Sequence, residues 1–390
     1  MQDSVTTKTT FVSDMLESGT CATIWPLHGA TLDDMKLSDL HHSFNIAPPL
    51  SITDILHTRE ESQMFRKCII HCIMRIIVNH GGEGFEKFQS DLNKCLPKTN
   101  QQIPTHKTKL YPLPTWKIDE STIVGNADVD AAIVRELHLR NQSTMWMRLT
   151  RILAGDQLSV ARLRALANIR AGHEGGYSSF GWGAWMPGLF HGKIANMHGF
   201  FVTHWGKPNA GTCNPGCLAF HNTQLHRLPI SVTSLPTFRV CHDLIFVSLY
   251  ARVLHCLLLV SGCKSLADYS ANVDTLDNLQ SHATQILNCY ANPKIVDELR
   301  WQRSKTQVQE TSPAPSEGDM VFENAVLFLR DALISREFTD AVKSGDSGRA
   351  LLVLKVWALS FRGNGRTKYA YEMLHDLIHN VTHVWPKKLW

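Results

Sequence analysis

The run Leu244–Gly262 (LIFVSLYARVLHCLLLVSG) constrains this chain more than any other segment. It is long and apolar enough to be taken for a membrane span, yet Arg252 and His255 stand near its centre. A charge there costs about 2.5–3.5 kcal/mol on insertion into a bilayer, so the run is read as a helix buried inside a soluble protein, with no membrane partner. A helix apolar on all sides demands a large surrounding core. The chain can supply one: of 390 residues, 44% are hydrophobic and 19% charged, a balance that excludes wholesale disorder. The length suits two or three domains at roughly 100–200 residues each.

Charge and cysteine usage narrow the class further. Lys and Arg number 39 against 35 Asp and Glu, and the resulting +4 is too small by itself to announce a nucleic-acid partner. The opening residues MQDSVTTKTTFVSDM have no apolar stretch, so no secretory leader is expected. Ten Cys scattered through a core-rich chain indicate reduced thiols in an intracellular protein, with nothing to separate nucleus from cytoplasm.

Along the chain, apolar spacing marks a strand-like stretch at Thr20–Trp25, a helix from about Ser62 to Gly81, and another over Phe85–Cys95. Pro97, Pro104, Pro112 and Pro114 make residues 97–118 an extended connector. A helix near Asp128–Arg140, a strand at Arg148–Ala154 and a helix at Ser159–Arg170 follow, then Gly-rich loops over 172–188. Helices are expected near 189–203, 216–227 and 237–261, with a polar helical pair near 265–300. Gln302–Gly318, polar and containing Pro313 and Pro315, is the best linker. Asp319–Arg330, Ser347–Phe361 and Thr367–His383 are the last helices. The fold class is therefore predominantly α with a minor β component. Its expected domains are 1–120, helical with the Pro-rich connector; 121–302, central; 303–318, a flexible linker; and 319–390, a helical segment packing on the central domain.

Five constellations could carry chemistry. The strand ending in Gly155-Asp156 before a helix places a carboxylate at a strand tip, where Mg²⁺-dependent nucleases and phosphotransferases hold their metal; Asp at that position also caps helices for structural reasons alone. Cys213, Cys217, His221 and His226 are ligand types zinc accepts, though their spacing is wrong for a finger. Cys68, His71 and Cys72 share a helix face, but the surrounding Ile69, Ile70, Ile73, Ile76 and Ile77 mark it as core. The aromatic run Tyr177–Phe190 offers either a base-stacking platform or core filling. The best basic site is Ser360–Glu372 (SFRGNGRTKYAYE), where Arg362, Arg366 and Lys368 flank two glycines before a helix and suit a phosphate backbone. No P-loop, dinucleotide fingerprint or Gly-x-Ser-x-Gly elbow occurs, so no small-molecule cofactor is evident.

Seven stretches together carry a resemblance: GTCATIWPLHGA (Gly19–Ala30), IIVNHGG (Ile76–Gly82), AGDQLSVARLRALANIRAGHEGG (Ala154–Gly176), PGLFHGKIANMHG (Pro187–Gly199), SLPTFRVCHDLIFVSLYARVLHCLLLVSG (Ser234–Gly262), LFLRDALISREFTDAVKSGDSGR (Leu327–Arg349) and ALSFRGNGRTKYAYEMLHDLIHNVTHVWP (Ala358–Pro386). They are similar to an uncharacterised family abundant in mushroom-forming fungi, the domain of unknown function numbered six-five-eight-nine. The resemblance implies, loosely, descent from DNA transposases, and so a partial RNase H-like core with a large helical insertion. On it Asp156 matches a central Mg²⁺-binding Asp and Glu372 is a candidate third acid. The Tyr-Asp-Asn type motif that family members carry upstream has no counterpart here, and the family continues past the Val-Trp-Pro stretch. Two-metal phosphoryl transfer needs carboxylates converging on ions roughly 3.5–4 Å apart, and one Asp cannot hold both. The expected function is thus that of a transposase-derived DNA strand-transfer protein, truncated and inactive; the alternative is a non-enzymatic nucleic-acid-binding or protein-interaction scaffold.

Overall fold

The computed structural model describes residues 19–139, 144–172, 174–207, 211–231, 234, 236–309 and 320–385. It is predominantly helical with a minor β component. In chain order the early helices are α1 (Leu37–Ile46), α2 (Ile52–Ile55), α3 (Arg59–His80), α4 (Gln89–Lys94), α5 (Ile123–Glu136) and α6 (Gln157–Arg170). Then come α7 (Leu189–His204), α8 (Leu218–Gln224), α9 (Phe238–Ser261), α10 (Leu266–Asn272) and α11 (Leu276–Tyr290). The last are α12 (Pro293–Gln309), α13 (Met320–Lys343), α14 (Ser347–Gly363) and α15 (Thr367–Tyr371), which runs into a π-helical stretch, Glu372–Val384. The strands are β1 (Thr23–Ile24), β2 (Tyr111–Pro112), β3 (Arg151–Gly155) and β4 (Gly183–Pro187).

Two compact units share the chain, and each is stitched from separated segments: residues 1–39 with 107–186, and residues 40–106 with 187–390. This differs from the sequential division at 120, 302 and 318, because helices from both ends of the chain build the second unit. The Pro-rich connector is itself divided, with 97–106 in the second unit and 107–118 in the first.

In the first unit β1 pairs antiparallel with β2, Thr23 facing Pro112 and Ile24 facing Tyr111. β3 pairs with β4 in a second two-stranded sheet. β4 lies within the Gly-rich segment expected to be loop. Gly183 is needed there, since a Cβ would meet the Trp185 ring at 2.1 Å. Trp146 and Trp182 are buried with ring centres 4.7 Å apart, and α5 packs on α6. The strand that leads to Asp156 therefore belongs to a two-stranded sheet, and the described residues do not form the wider sheet of an RNase H-like core.

The second unit is a helical assembly around α3, α9 and α13. Thr58 caps α3: its hydroxyl accepts from Glu61 N at 3.2 Å while Glu61 Oε2 accepts from Thr58 N at 2.9 Å. The apolar side chains Ile69, Ile73, Ile76 and Ile77 are buried, and α3 packs against α9, α11, α13 and α14. Cys68 and Cys72 are buried there too. α9, the apolar run of the sequence, packs against α3, α7, α8, α11 and α13 and stops at Gly262, whose φ of +70° suits a residue without Cβ.

α13 runs unbroken to Lys343, well past the expected end at Arg330, and turns at Gly345 (φ +65°) into α14. Asp346 caps α14, accepting from Arg349 N at 3.0 Å and from Thr99 N at 2.8 Å. Buried charge disguised the length of α13: Glu337 faces Arg349, Oε1 lying 2.7 Å from Nη2, and both side chains are 1% exposed. Helix α12 likewise continues to Gln309 into the expected linker, with Arg300 and Arg303 both bonded to the buried Glu323 of α13. Residues 310–318, the rest of that linker, lie outside the described residues.

Candidate functional site

Asp156 leaves β3 in an extended conformation (φ −67°, ψ 166°), and its Oδ1 accepts from Ser159 N at 2.6 Å. One carboxylate oxygen is thus bound to the start of α6, satisfying an N–H that the helix itself leaves open. A second acid of the same unit, overlooked by sequence reasoning, is Asp130 on α5. It is only 4% exposed. Burial pushes its carboxyl up to about 6, against the opposing influence of the Tyr177 hydroxyl and the Arg151 guanidinium. That guanidinium lies 3.7 Å over the Trp146 ring, and Tyr177, Phe180, Trp182 and Trp185 continue the aromatic cluster. The aromatic run is packed against itself here, with Phe180, Trp182 and Trp185 buried.

Of Cys213, Cys217, His221 and His226, it is His221 that meets a guanidinium. Cys213 and His226 are exposed, while Cys217 is buried at the N-cap of α8. Arg252 of α9 reaches the loop before α8: its Nη2 donates to the carbonyls of Pro215 (3.1 Å) and Gly216 (3.2 Å) and lies 2.9 Å from His221 Nε2. Facing a donor, that imidazole nitrogen must accept, which requires the ring to be neutral. Burial and the Arg252 charge accordingly bring His221 down to about 4. The guanidinium also sits 4.1 Å over the Phe328 ring. Among the described residues no three His, Cys, Asp or Glu side chains gather closely enough to hold a metal ion. The donor sets present fit neither a zinc site of these four residues nor a two-Mg²⁺ site at Asp156.

The basic turn joins α14 to α15 in the second unit. Gly365 takes φ +79°, and Arg366 N bonds back to Phe361 O at 2.8 Å. Arg362 and Lys368 are exposed, and Arg366 is half-buried. The Arg366 side chain lies against α7 at Gly199, where a Cβ would meet its Nε at 3.0 Å and Asn364 Nδ2 at 2.5 Å. Its Nε is buried with no hydrogen-bond acceptor, and burial lowers its pKa. α15 has five residues, so the cationic character rests on side chains rather than on a helix dipole. Glu372 is buried at the start of the π-helical stretch; it belongs to the second unit and Asp156 to the first.

The model of a family of unknown function, DUF6589, matches residues 44–390, and the chain belongs to this family. No curated protein matches the chain, and no solved structure does.

Proposed function

We propose that this member of the DUF6589 family is a non-enzymatic helical scaffold that binds nucleic acid through the turn between α14 and α15. The observation that carries the reading is Arg366: a buried guanidinium Nε without an acceptor, flanked by the exposed cations Arg362 and Lys368. A phosphate oxygen supplies what that donor lacks, and the two outer charges suit the neighbouring phosphates. The ten free thiols are consistent with an intracellular setting. Descent from a metal-dependent DNA strand-transfer protein is the evolutionary half of the proposal, supported by the β3–Gly155–Asp156–α6 junction. In the present chain that carboxylate serves as a cap.

Fluorescence anisotropy with a labelled DNA duplex tests the binding claim. The Arg362→Ala/Lys368→Ala variant is expected to bind about tenfold more weakly and to lose about 2 from the slope of log K against log salt, roughly 0.9 for each phosphate contact removed. Identical affinity and slope in variant and parent would overturn it. A strand-nicking assay with Mg²⁺ or Mn²⁺ addresses catalysis: neither the parent nor Asp156→Asn is expected to cut. Nicking by the parent that Asp156→Asn abolishes would replace the scaffold reading with an enzymatic one.

A further inference from the structure

Phe238, His242, Phe246 and Tyr250 recur every fourth residue of α9, a spacing that sets side chains one above another along a helix. Their rings follow one another closely. The centres of Phe238 and His242 are 5.4 Å apart, those of His242 and Phe246 4.4 Å, and those of Phe246 and Tyr250 6.2 Å. Two other helices of the same unit lengthen the row. Phe190 of α7 meets Phe238 at 5.4 Å, edge to face, and His80 at the end of α3 stacks on Tyr250 at 4.0 Å. Phe246 is buried, Phe238, His242 and Tyr250 are half-buried, and the terminal rings Phe190 and His80 are exposed. Phe190, 57% exposed, is also the exposed ring of the aromatic run Tyr177–Phe190.

Cations interleave with these rings. Lys193 Nζ of α7 lies 5.7 Å from the centre of the Phe238 ring, and the Arg336 guanidinium of α13 lies 5.9 and 5.8 Å from those of Phe246 and Tyr250. Arg336 is held in place: Nη1 donates to the Tyr250 hydroxyl at 2.5 Å, and Nη2 faces Asp340 at 3.3 Å. Lys193 has no acid partner among the described residues. His242 Nδ1 faces Asp243 Oδ1 at 3.3 Å, an edge contact that leaves stacking to the ring face. A row that only filled a core would be closed at both ends and would need no charge beside it. Open rings laced with cations match an unpaired strand, since every base has a π-face and the backbone follows positive charge. The row also adjoins the α14–α15 turn. Arg366 and Asn364 lie against Gly199 of α7, and the neighbouring His198 Nε2 is 3.1 Å from the carbonyl of Pro236, two residues before Phe238. One helix thus carries the exposed Phe190 at its start and the contact with the turn about 14 Å farther along.

We infer that the open rings of this row, from Phe190 to His80, stack the bases of a single-stranded nucleic acid while Lys193 meets its phosphates. This extends the nucleic-acid reading of the turn to a second surface and names the form of the partner, and separate variants test the two. The probe is a labelled oligothymidylate of about 15 nucleotides, near the upper end of the roughly 4–16 that such surfaces cover, titrated with the full chain by fluorescence anisotropy. Phe190→Leu keeps an apolar side chain and loses the π-face, so it is expected to bind about fivefold more weakly or worse, and Phe190→Tyr to bind like the parent. An abasic strand of the same length is expected to bind the parent and Phe190→Leu alike. No binding of the oligothymidylate by the parent, or equal affinity in Phe190→Leu, would overturn the inference. So would an equal loss on the abasic strand, because the ring would then serve the fold or the backbone rather than the bases. A duplex keeps its bases stacked within and reaches only the turn, so its affinity is expected to be the same for the parent and Phe190→Leu. A duplex weakened as much as the oligothymidylate would overturn the assignment to a single strand. Equal duplex affinity in the parent and Arg362→Ala/Lys368→Ala would count against the turn alone and leave the Phe190 comparison standing.

Discussion

Asp130 illustrates what a single buried carboxylate does to a small unit. Its folded-state pKa of about 6 lies above the ordinary carboxylate value of 3.8, so between those pH values the folded chain binds more protons than the unfolded one. The stability this contributes is complete below about pH 4 and is lost as pH rises through 6. Asp130→Asn, neutral at every pH, is therefore expected to gain about 2–3 kcal/mol on the parent between pH 4 and pH 7. Chemical denaturation at the two pH values checks this; an equal difference at both would refute it. Asp156 was legible in the sequence because a strand, a glycine and a helix start announce it. Asp130 was not, because nothing in the pattern of α5 reveals that Tyr177 and Arg151, distant along the chain, close over it. Arg252 was legible only in part: its charge argued against a bilayer, but its grip on Pro215, Gly216 and His221 depends on tertiary contact.

Among elements, the helices whose apolar residues recur at helical spacing, α3, α6, α7 and α9, were found close to their observed limits. The misjudged ones share a cause. α12 and α13 carry charges whose partners sit on a neighbouring helix, so Glu323, Glu337 and Asp340 look like surface until Arg300, Arg349 and Arg75 are placed. β4 was hidden by glycine, which the aromatic packing requires. The Glu337–Arg349 pair joins α13 to α14 with both ends dry, and leaving one charge alone there is costly. Arg349→Met is expected to lose about 3–5 kcal/mol in denaturant unfolding, whereas Glu337→Leu/Arg349→Met recovers most of it. A double variant no better than the single one would mean that the packing of the arginine stem, not its charge, holds the two helices.

At the scale of the whole molecule, sequence reasoning found the helical class and missed the division, since composition shifts cannot reveal which distant segments meet. The fragment 121–302, a sequential domain by that reading, takes α5 and α6 without the β1–β2 ribbon and takes α9 without α3, α13 or α14. It is expected to show no cooperative thermal transition by circular dichroism; a sharp one would restore the sequential division. The same interleaving bears on biosynthesis. α3 leaves the ribosome before α13 and α14, which belong to the cover of its isoleucine-rich face. At roughly 5–20 residues per second, translation from His80 to Ser347 occupies on the order of tens of seconds. Throughout that interval the nascent chain displays a greasy surface it cannot yet hide, which makes it a natural client for chaperones that hold emerging polypeptides.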